Sequence, residues 1–405
     1  MAGHLDTLAK KLALATLPCP APTTYTDSED AQDWTYGVPR TTLERLVHYW
    51  RTSLLPNWRE HEQTLNALPQ FTRSIEVDGH GVFTAHYVHK KSEDRRRNAI
   101  PLLFLHGWPG HFNEASKLLP LLTAPPASSD YPAFDVVVPS LPGFGFSSAP
   151  TKTGFALPQY AEFAHKLMLS LGYDEYVVQG GDWGRHIGLG LAYTYPKHVR
   201  AWHTNYPRSA GPPQLLRNPL LWLQHLVTPY SAAERKGLDR MQFFTNEGTG
   251  YSAIQATMPQ TLSYALTDSP VGLLAWIYEK LVFWSDAYDW GDDEVLQWVS
   301  IYLFSASGPA TSARIYYEIK HSGRSKELIN IWSPVPLGLS YFPKELTPVP
   351  KTWARTVGNV VFEADHDKGG HFAAHEVPHA LADDLRKMFG KGGKAYGVVK
   401  GKDGY

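Results

Sequence analysis

Between Val177 and Gly188 the chain reads VVQGGDWGRHIG, in which Gly180, Gly181, Asp182, Trp183 and Gly184 spell G-x-D-x-G. With serine at its centre the same spacing is a nucleophile elbow, a strained strand-to-helix turn that lifts its central side chain clear of the sheet. An ionised aspartate suits the position, because the N-terminus of the following helix favours negative charge and no base is needed to deprotonate it. A carboxylate is a weak nucleophile that displaces at an sp³ carbon when the leaving group is good or strained, and the product is an alkyl ester of the protein itself. Hydrolysing that ester calls for a histidine to activate water, an acid to orient the histidine, and an oxyanion hole at the ester carbonyl.

Candidates for each role lie further along the chain. His371, in KGGHFAAHE, falls in a glycine-flanked loop between the strand NVVFEA and the last helix, near HALADDLRKMF. Glu345, in YFPKEL, follows the penultimate strand and is preferred as the orienting acid, although Asp365 and Asp367 in FEADHDKGGH also lie near the histidine. The backbone N–H groups of Trp183 and of Trp108, in HGWPG after the strand PLLFL, would form the oxyanion hole. Nucleophile, acid and histidine thus follow the chain order of α/β-hydrolases. The chain has 18 histidines, so loop position and not residue type singles out His371; His106, in LHGWPG, is expected to shape its turn.

The elements that must hold these residues are legible from Ala99 to Pro196, where short apolar runs alternate with helical stretches as in βαβ units on a parallel sheet. IPLLFLHG, FDVVVPSLPG and EYVVQGG read as strands covered on both faces, so the elbow sits at the carboxyl end of a buried strand, where open α/β sheets place their ligands. After AWHTNYP the pattern turns helical and aromatic, and strand character resumes at LGLSYFP and VGNVVFEA. The expected organisation is an N-terminal segment with a helix and hairpin (1–95), a first sheet portion (96–211), a helical cap (212–336) and a second sheet portion with a loose Gly- and Lys-rich tail (337–405). The hairpin joins FTRSIEV to GVFTAHYVH through Asp78-Gly79.

Composition narrows the partners. Lys and Arg total 38 against 39 for Asp and Glu, which leaves no electrostatic footprint for nucleic acid or an acidic membrane and points to a small molecule. Cys19 is the only cysteine, so no internal disulfide is expected and a cytoplasmic home is the default. The first residues read as an amphipathic helix and not a signal peptide, and the apolar run VGLLAWIYEKLVFW is interrupted by Glu279 and Lys280.

In HGWPG (106–110), PSLPGFGFSS (139–148), GGDWG (180–184), FPKE (342–345) and GGHFAAHE (369–376) the chain resembles the microsomal-type epoxide hydrolases of the α/β-hydrolase superfamily. DWTYGVP, LVHYW, NWREHEQTLNALPQF and the hairpin resemble that family's N-terminal meander. The resemblance implies an α/β-hydrolase fold and a cycle in which Asp182 opens an epoxide while two cap tyrosines donate to the ring oxygen. His371, oriented by Glu345, then hydrolyses the ester to a vicinal diol. By resemblance one tyrosine is Tyr251, in GTGYSAIQATMPQTL, and the other Tyr316, in SARIYYEI, preferred over the adjacent Tyr317. Tyr317 and Phe146 are expected to contact substrate. No metal or organic cofactor is implied, the membrane anchor of some animal members is absent, and a homodimer is plausible by resemblance. His111 replaces an expected serine after HGWPG, Arg185 follows DWG where a small residue is usual, and the short strand that often opens the meander is missing.

Two other readings use the same residues. Haloalkane dehalogenases share the elbow aspartate and hold halide with a tryptophan beside it, a place that Trp183 fills here. A non-catalytic, ligand-binding protein of the same fold is the other, though it normally goes with a broken triad. Tyr251 and Tyr316 favour the epoxide over both.

Overall fold

The computed structural model describes residues 2–21, 34–94, 96–126, 129–329 and 331–405; Asp33 of the DWTYGVP motif lies outside them. Eight strands form one sheet: β1 (Gln70–Val77), β2 (Gly81–Lys90), β3 (Ile100–Leu105), β4 (Phe134–Pro139), β5 (Tyr176–Gly180), β6 (Val199–Thr204), β7 (Ser333–Tyr341) and β8 (Gly358–Asp365). Their spatial order is β1-β2-β4-β3-β5-β6-β7-β8. The β1–β2 and β2–β4 pairs are antiparallel, and every later pair is parallel. The α/β fold expected from the sequence is therefore the observed one, with a two-strand antiparallel extension at one edge.

Every residue of β3 and of β5 is buried, which explains their unbroken apolar runs. Along β3 the side chains divide by strand alternation. Leu103 and Leu105 enter the core half shared with the helices Leu157–Ser170 and Asp182–Thr194, while Leu102 and Phe104 pack with the helices Leu118–Thr123 and Pro378–Phe389 on the other face. Each such aliphatic burial contributes about 1.5–3 kcal/mol. The chain runs from β3 to β4 on one side and then crosses to β5 on the other, so the loops after β3 and β5 part company at a switch point. Trp108 follows β3 and Asp182 follows β5.

Between β6 and β7 the chain is helical, including Ala232–Glu247, Gly250–Gln255, Pro270–Trp284, Asp292–Leu303 and Arg314–His321. Ser231 and Glu234 form a capping box that starts the first of these. The N-terminal segment straps this layer down. Leu8 and Leu12 are buried, Lys11 Nζ donates to Asp268 O at 2.7 Å, Arg45 pairs with Asp292, and Tyr49 Oη donates to Asp293 at 3.0 Å. Among the described residues no helix is long and apolar enough to cross a membrane.

One expectation fails. The last residues are not a loose tail: Ala395 and Val399 are buried, Asn98 N–H donates to Tyr405 O at 2.8 Å, and Ala133 N–H donates to Gly404 O at 2.9 Å. Glycine and lysine content reads as looseness, yet positive-φ turns at Gly392, Gly397, Gly401 and Gly404 fold the segment back onto the residues just before β3 and β4. Deleting residues 395–405 is expected to lower unfolding free energy by about 4 kcal/mol, from three backbone hydrogen bonds to Asn98 and Ala133 and one buried valine. Urea titration of the truncated and full chains measures it.

Candidate active site

Asp182 directly follows β5 and Gly181 and opens the helix Asp182–Thr194 with φ 46°, a left-handed conformation that is rare outside glycine. The flanking glycines permit it. A Cβ at Gly180 would run into the backbone of Gly184, one at Gly184 would strike Leu105 O, and one at Gly107 would overlap the Asp182 carboxylate. The G-x-D-x-G spacing is thus a packing requirement between the elbow helix, β5 and β3.

The two carboxylate oxygens of Asp182 face different groups. Oδ1 accepts from the backbone N–H of Trp108 at 2.8 Å, and Oδ2 lies 3.4 Å from His371 Nε2. On its other side His371 Nδ1 is 2.5 Å from Glu345 Oε1. Glu345 is itself held: its Oε1 also accepts from Leu346 N–H at 2.6 Å, and Arg240 of the cap donates to the carbonyls of Glu345 and Lys344 at 2.6 and 2.7 Å. Asp365 instead pairs with Lys351 at the surface, and Asp367 is exposed. The His371 backbone N–H donates to Trp284 O at 2.9 Å, which ties the loop to the cap.

Burial alone would drive the proton off His371. The charges of Glu345 and Asp182, together with their hydrogen bonds, outweigh that and raise its pKa well above the ordinary histidine value. The two flanking carboxylates thus favour the protonated imidazole. Burial likewise raises two neighbouring acids that the sequence reading passed over, Glu114 to about 8 and Glu376 to about 7. Glu376 accepts from the N–H groups of Phe372 and Asp286 at 2.9 and 2.8 Å, a second link between the histidine loop and the cap.

Above Asp182 is a cavity of about 210 Å³, walled by Trp183, Tyr251, Tyr316 and Phe244, with Tyr206 and Arg208 among its other lining residues. The rings of Tyr251 and Tyr316 stand 5.7 Å apart at 83°, and that of Tyr316 lies 4.9 Å from Trp183. The buried hydroxyl of Tyr316 lies against the hydroxyl of Tyr251 and the indole N–H of Trp183 and has no other hydrogen-bond partner among the described residues. Burial, reinforced by the nearby Asp182 charge, holds both tyrosine pKa values well above 10, so each phenol keeps its proton.

Two expected substrate contacts lie elsewhere. Tyr317 is one helical step from Tyr316, turned about 100° away; it is 37% exposed and stacks on His321 at 4.1 Å. Phe146 packs against His86 and Phe112 in the core half on the other face of the sheet, at 5.2 and 5.7 Å. His106 is buried and neutral, its pKa pushed down to about 4 by burial, and bridges Gly107 O and Leu141 N–H, as expected of a turn residue. His111 takes over the capping work of the missing serine, its Nδ1 accepting from Asn113 N–H at 3.2 Å. Trp284, Tyr206 and Arg208 escaped the sequence reading. They carry no motif, and only the docking of the cap and of the strand exit brings them to Asp182.

The sheet, elbow and cap define an α/β-hydrolase: residues 100–294 match the alpha/beta hydrolase fold model and residues 2–115 the Epoxide hydrolase N terminus model. A "Putative epoxide hydrolase" of Stigmatella aurantiaca is 40% identical, the match covering 91% of this chain and 80% of that protein. The solved epoxide hydrolase of Aspergillus niger is 35% identical with a TM-score of 0.77, covering 95% of this chain and 92% of the other. The juvenile hormone epoxide hydrolase of Bombyx mori is 29% identical with a TM-score of 0.79, covering 94% and 90%. The chain belongs to the epoxide hydrolase family, and its reaction is the hydrolysis of an epoxide.

Asp182→Asn removes one of the two carboxylates that hold the His371 proton. The imidazole pKa is expected to fall by roughly 1–3 pH units in that variant. NMR titration of the imidazole reads this directly, and an unchanged midpoint would mean that Asp182 contributes nothing to the resting charge.

Proposed function

We propose that this enzyme opens its epoxide with Asp182, forms an aspartyl alkyl ester, and hydrolyses that ester with His371 to release a vicinal diol. The supporting observation is that Asp182 keeps one oxygen on Trp108 N–H and opens onto a cavity where the buried Tyr316 and Tyr251 converge. Oδ2 attacks a ring carbon, the C–O bond breaks towards the ring oxygen, and Tyr251 and Tyr316 supply hydrogen bonds and a proton to the developing alkoxide. Phenols suit this work because an alkoxide is a much stronger base than a phenolate.

Alkylation turns the Asp182 charge into a neutral ester. One of the two groups that hold the His371 proton is thereby lost, and the imidazole releases that proton to the phenolate left by the first step, which restores the phenol and frees His371 to act as a base. His371, oriented by Glu345, takes a proton from water; hydroxide adds to the ester carbonyl; and the oxyanion forms at Oδ1, beside the N–H groups of Trp108 and Trp183. Collapse returns the carboxylate and frees the diol. Trp183 occupies the first turn of the elbow helix, where N–H groups have no intrahelical acceptor.

The aromatic wall favours an apolar epoxide body. A homodimer fits the helix Pro219–Val227, which buries none of its residues and exposes Leu220, Leu223, Leu226 and Val227. A cytoplasmic location fits the single free cysteine, Cys19. Sedimentation of the L220E/L223E variant tests the dimer, with monomer as the expected outcome.

In one turnover in ¹⁸O-water the label is expected in Asp182 and not in the diol; diol labelled in that first turnover would sink the ester pathway. His371→Gln is expected to open one equivalent of epoxide and then stall as the ester, with steady-state turnover down at least about 100-fold. Tyr316→Phe should cost roughly 100-fold in the alkylation rate, whereas Tyr317→Phe should cost almost nothing. Stopped-flow quenching of tryptophan fluorescence follows the alkylation step.

A further inference from the structure

We propose that Arg208 selects epoxides that carry a carboxylate a few bonds from the ring, an inference that rests on the site assignment above. Arg208 is the only lysine or arginine lining the cavity above Asp182. Among the described residues it forms no ion pair with an acidic side chain; its guanidinium hydrogen-bonds the Tyr206 side chain, with Tyr251 and Asp182 further off. The one carboxylate in the cavity wall is Asp182, which the reaction itself converts to an ester.

The backbone beneath this arginine is fixed. The buried Arg185, the unusual residue after the elbow, donates from Nη2 to Arg208 O at 2.8 Å and from Nη1 to Ile329 O at 3.3 Å. Arg208 N–H also donates to Tyr206 O at 2.7 Å. One buried guanidinium thus pins the segment entering the cap and the segment leaving it. Arg208 starts from that anchored turn, and as an exposed residue it stands where the cavity meets solvent.

The chemistry favours an anion. A substrate carboxylate brought towards Asp182 meets a like charge, which costs binding unless a cation offsets it. A guanidinium is always charged and offers a planar fork that fits a carboxylate with two hydrogen bonds. The lining also includes the hydroxyl side chains of Thr245, Thr249, Ser252 and Thr347 together with the aromatic Trp183, Tyr251 and Tyr316. At about 210 Å³ the cavity is small, so an oxirane at Asp182 and an anion at Arg208 belong to one short molecule.

The test compares 4-(oxiran-2-yl)benzoate with the isosteric 4-(oxiran-2-yl)benzamide and with styrene oxide. In the unaltered enzyme kcat/KM for the benzoate is expected to exceed that for the benzamide by roughly 10-fold or more, mostly through KM. Arg208→Gln should abolish that ratio or invert it, Arg208→Lys should restore part of it, and raising ionic strength should shrink it in the unaltered enzyme. A ratio near one in the unaltered enzyme, or the same ratio in Arg208→Gln, would overturn the proposal while leaving the ester mechanism standing on styrene oxide. Failure of styrene oxide to alkylate Asp182 would overturn the site assignment, and this proposal with it.

Discussion

A carboxylate held in a left-handed turn at the start of a buried helix is the constraint around which this molecule is arranged. The backbone of Asp182 costs on the order of 1–3 kcal/mol, and it persists because its surroundings leave no alternative. Gly184 lets the elbow helix touch Leu105 at the end of β3, and Gly180 lets the turn close on itself. That contact puts the loop after β3 within reach of the elbow, and Trp108 N–H arrives at Asp182 Oδ1 as a consequence. The parallel pairing of β3 with β5, in register from Leu102 with Val177 to Leu105 with Gly180, sets the distance across which the contact is made.

Charge then organises what lies above. Three ionisable side chains, Asp182, His371 and Glu345, stand in one line, the last two almost wholly buried, and a proton on the middle one offsets the two carboxylate charges beside it. The same line serves two steps with opposite needs. Alkylation wants a free carboxylate, and hydrolysis wants a free imidazole. In the proposed cycle the first step neutralises Asp182 and so relaxes the hold on the His371 proton at the moment when a base is required.

The parts of this arrangement that were legible in the sequence are those whose geometry is local. The elbow, the turn at HGWPG and the loop of His371 each depend on a few adjacent residues, and glycine spacing announces them. Glu345 is preferred to Asp365 and Asp367 for its place after the penultimate strand; the structure separates them further, since Asp365 has Lys351 at the surface while Glu345 is buried and its carbonyl accepts from Arg240. Trp284, Tyr206 and Arg208 were not legible at all, because they reach the site through the packing of one layer on another. Phe146 was misplaced for a related reason: its motif lies near the site, but its ring passes to the opposite face of the sheet. The closing segment was misread because glycine and lysine describe composition, whereas its order comes from long-range bonds to Asn98 and Ala133.

The tyrosine pair shows how fine the remaining distinction is. Tyr316 and Tyr317 are neighbours on the helix Arg314–His321, chemically identical and equally accessible to any reading of residue type. A helix turns by about 100° per residue, so only one of them can face the cavity. Which one is decided by Ile315 and Ile319, both buried in the core, whose burial fixes the rotation of the helix about its axis. Tyr316 shares their side and meets Tyr251 and Trp183, whereas Tyr317 turns to solvent and stacks on His321. The side chain that faces the cavity is therefore selected by the burial of two isoleucines on the same helix.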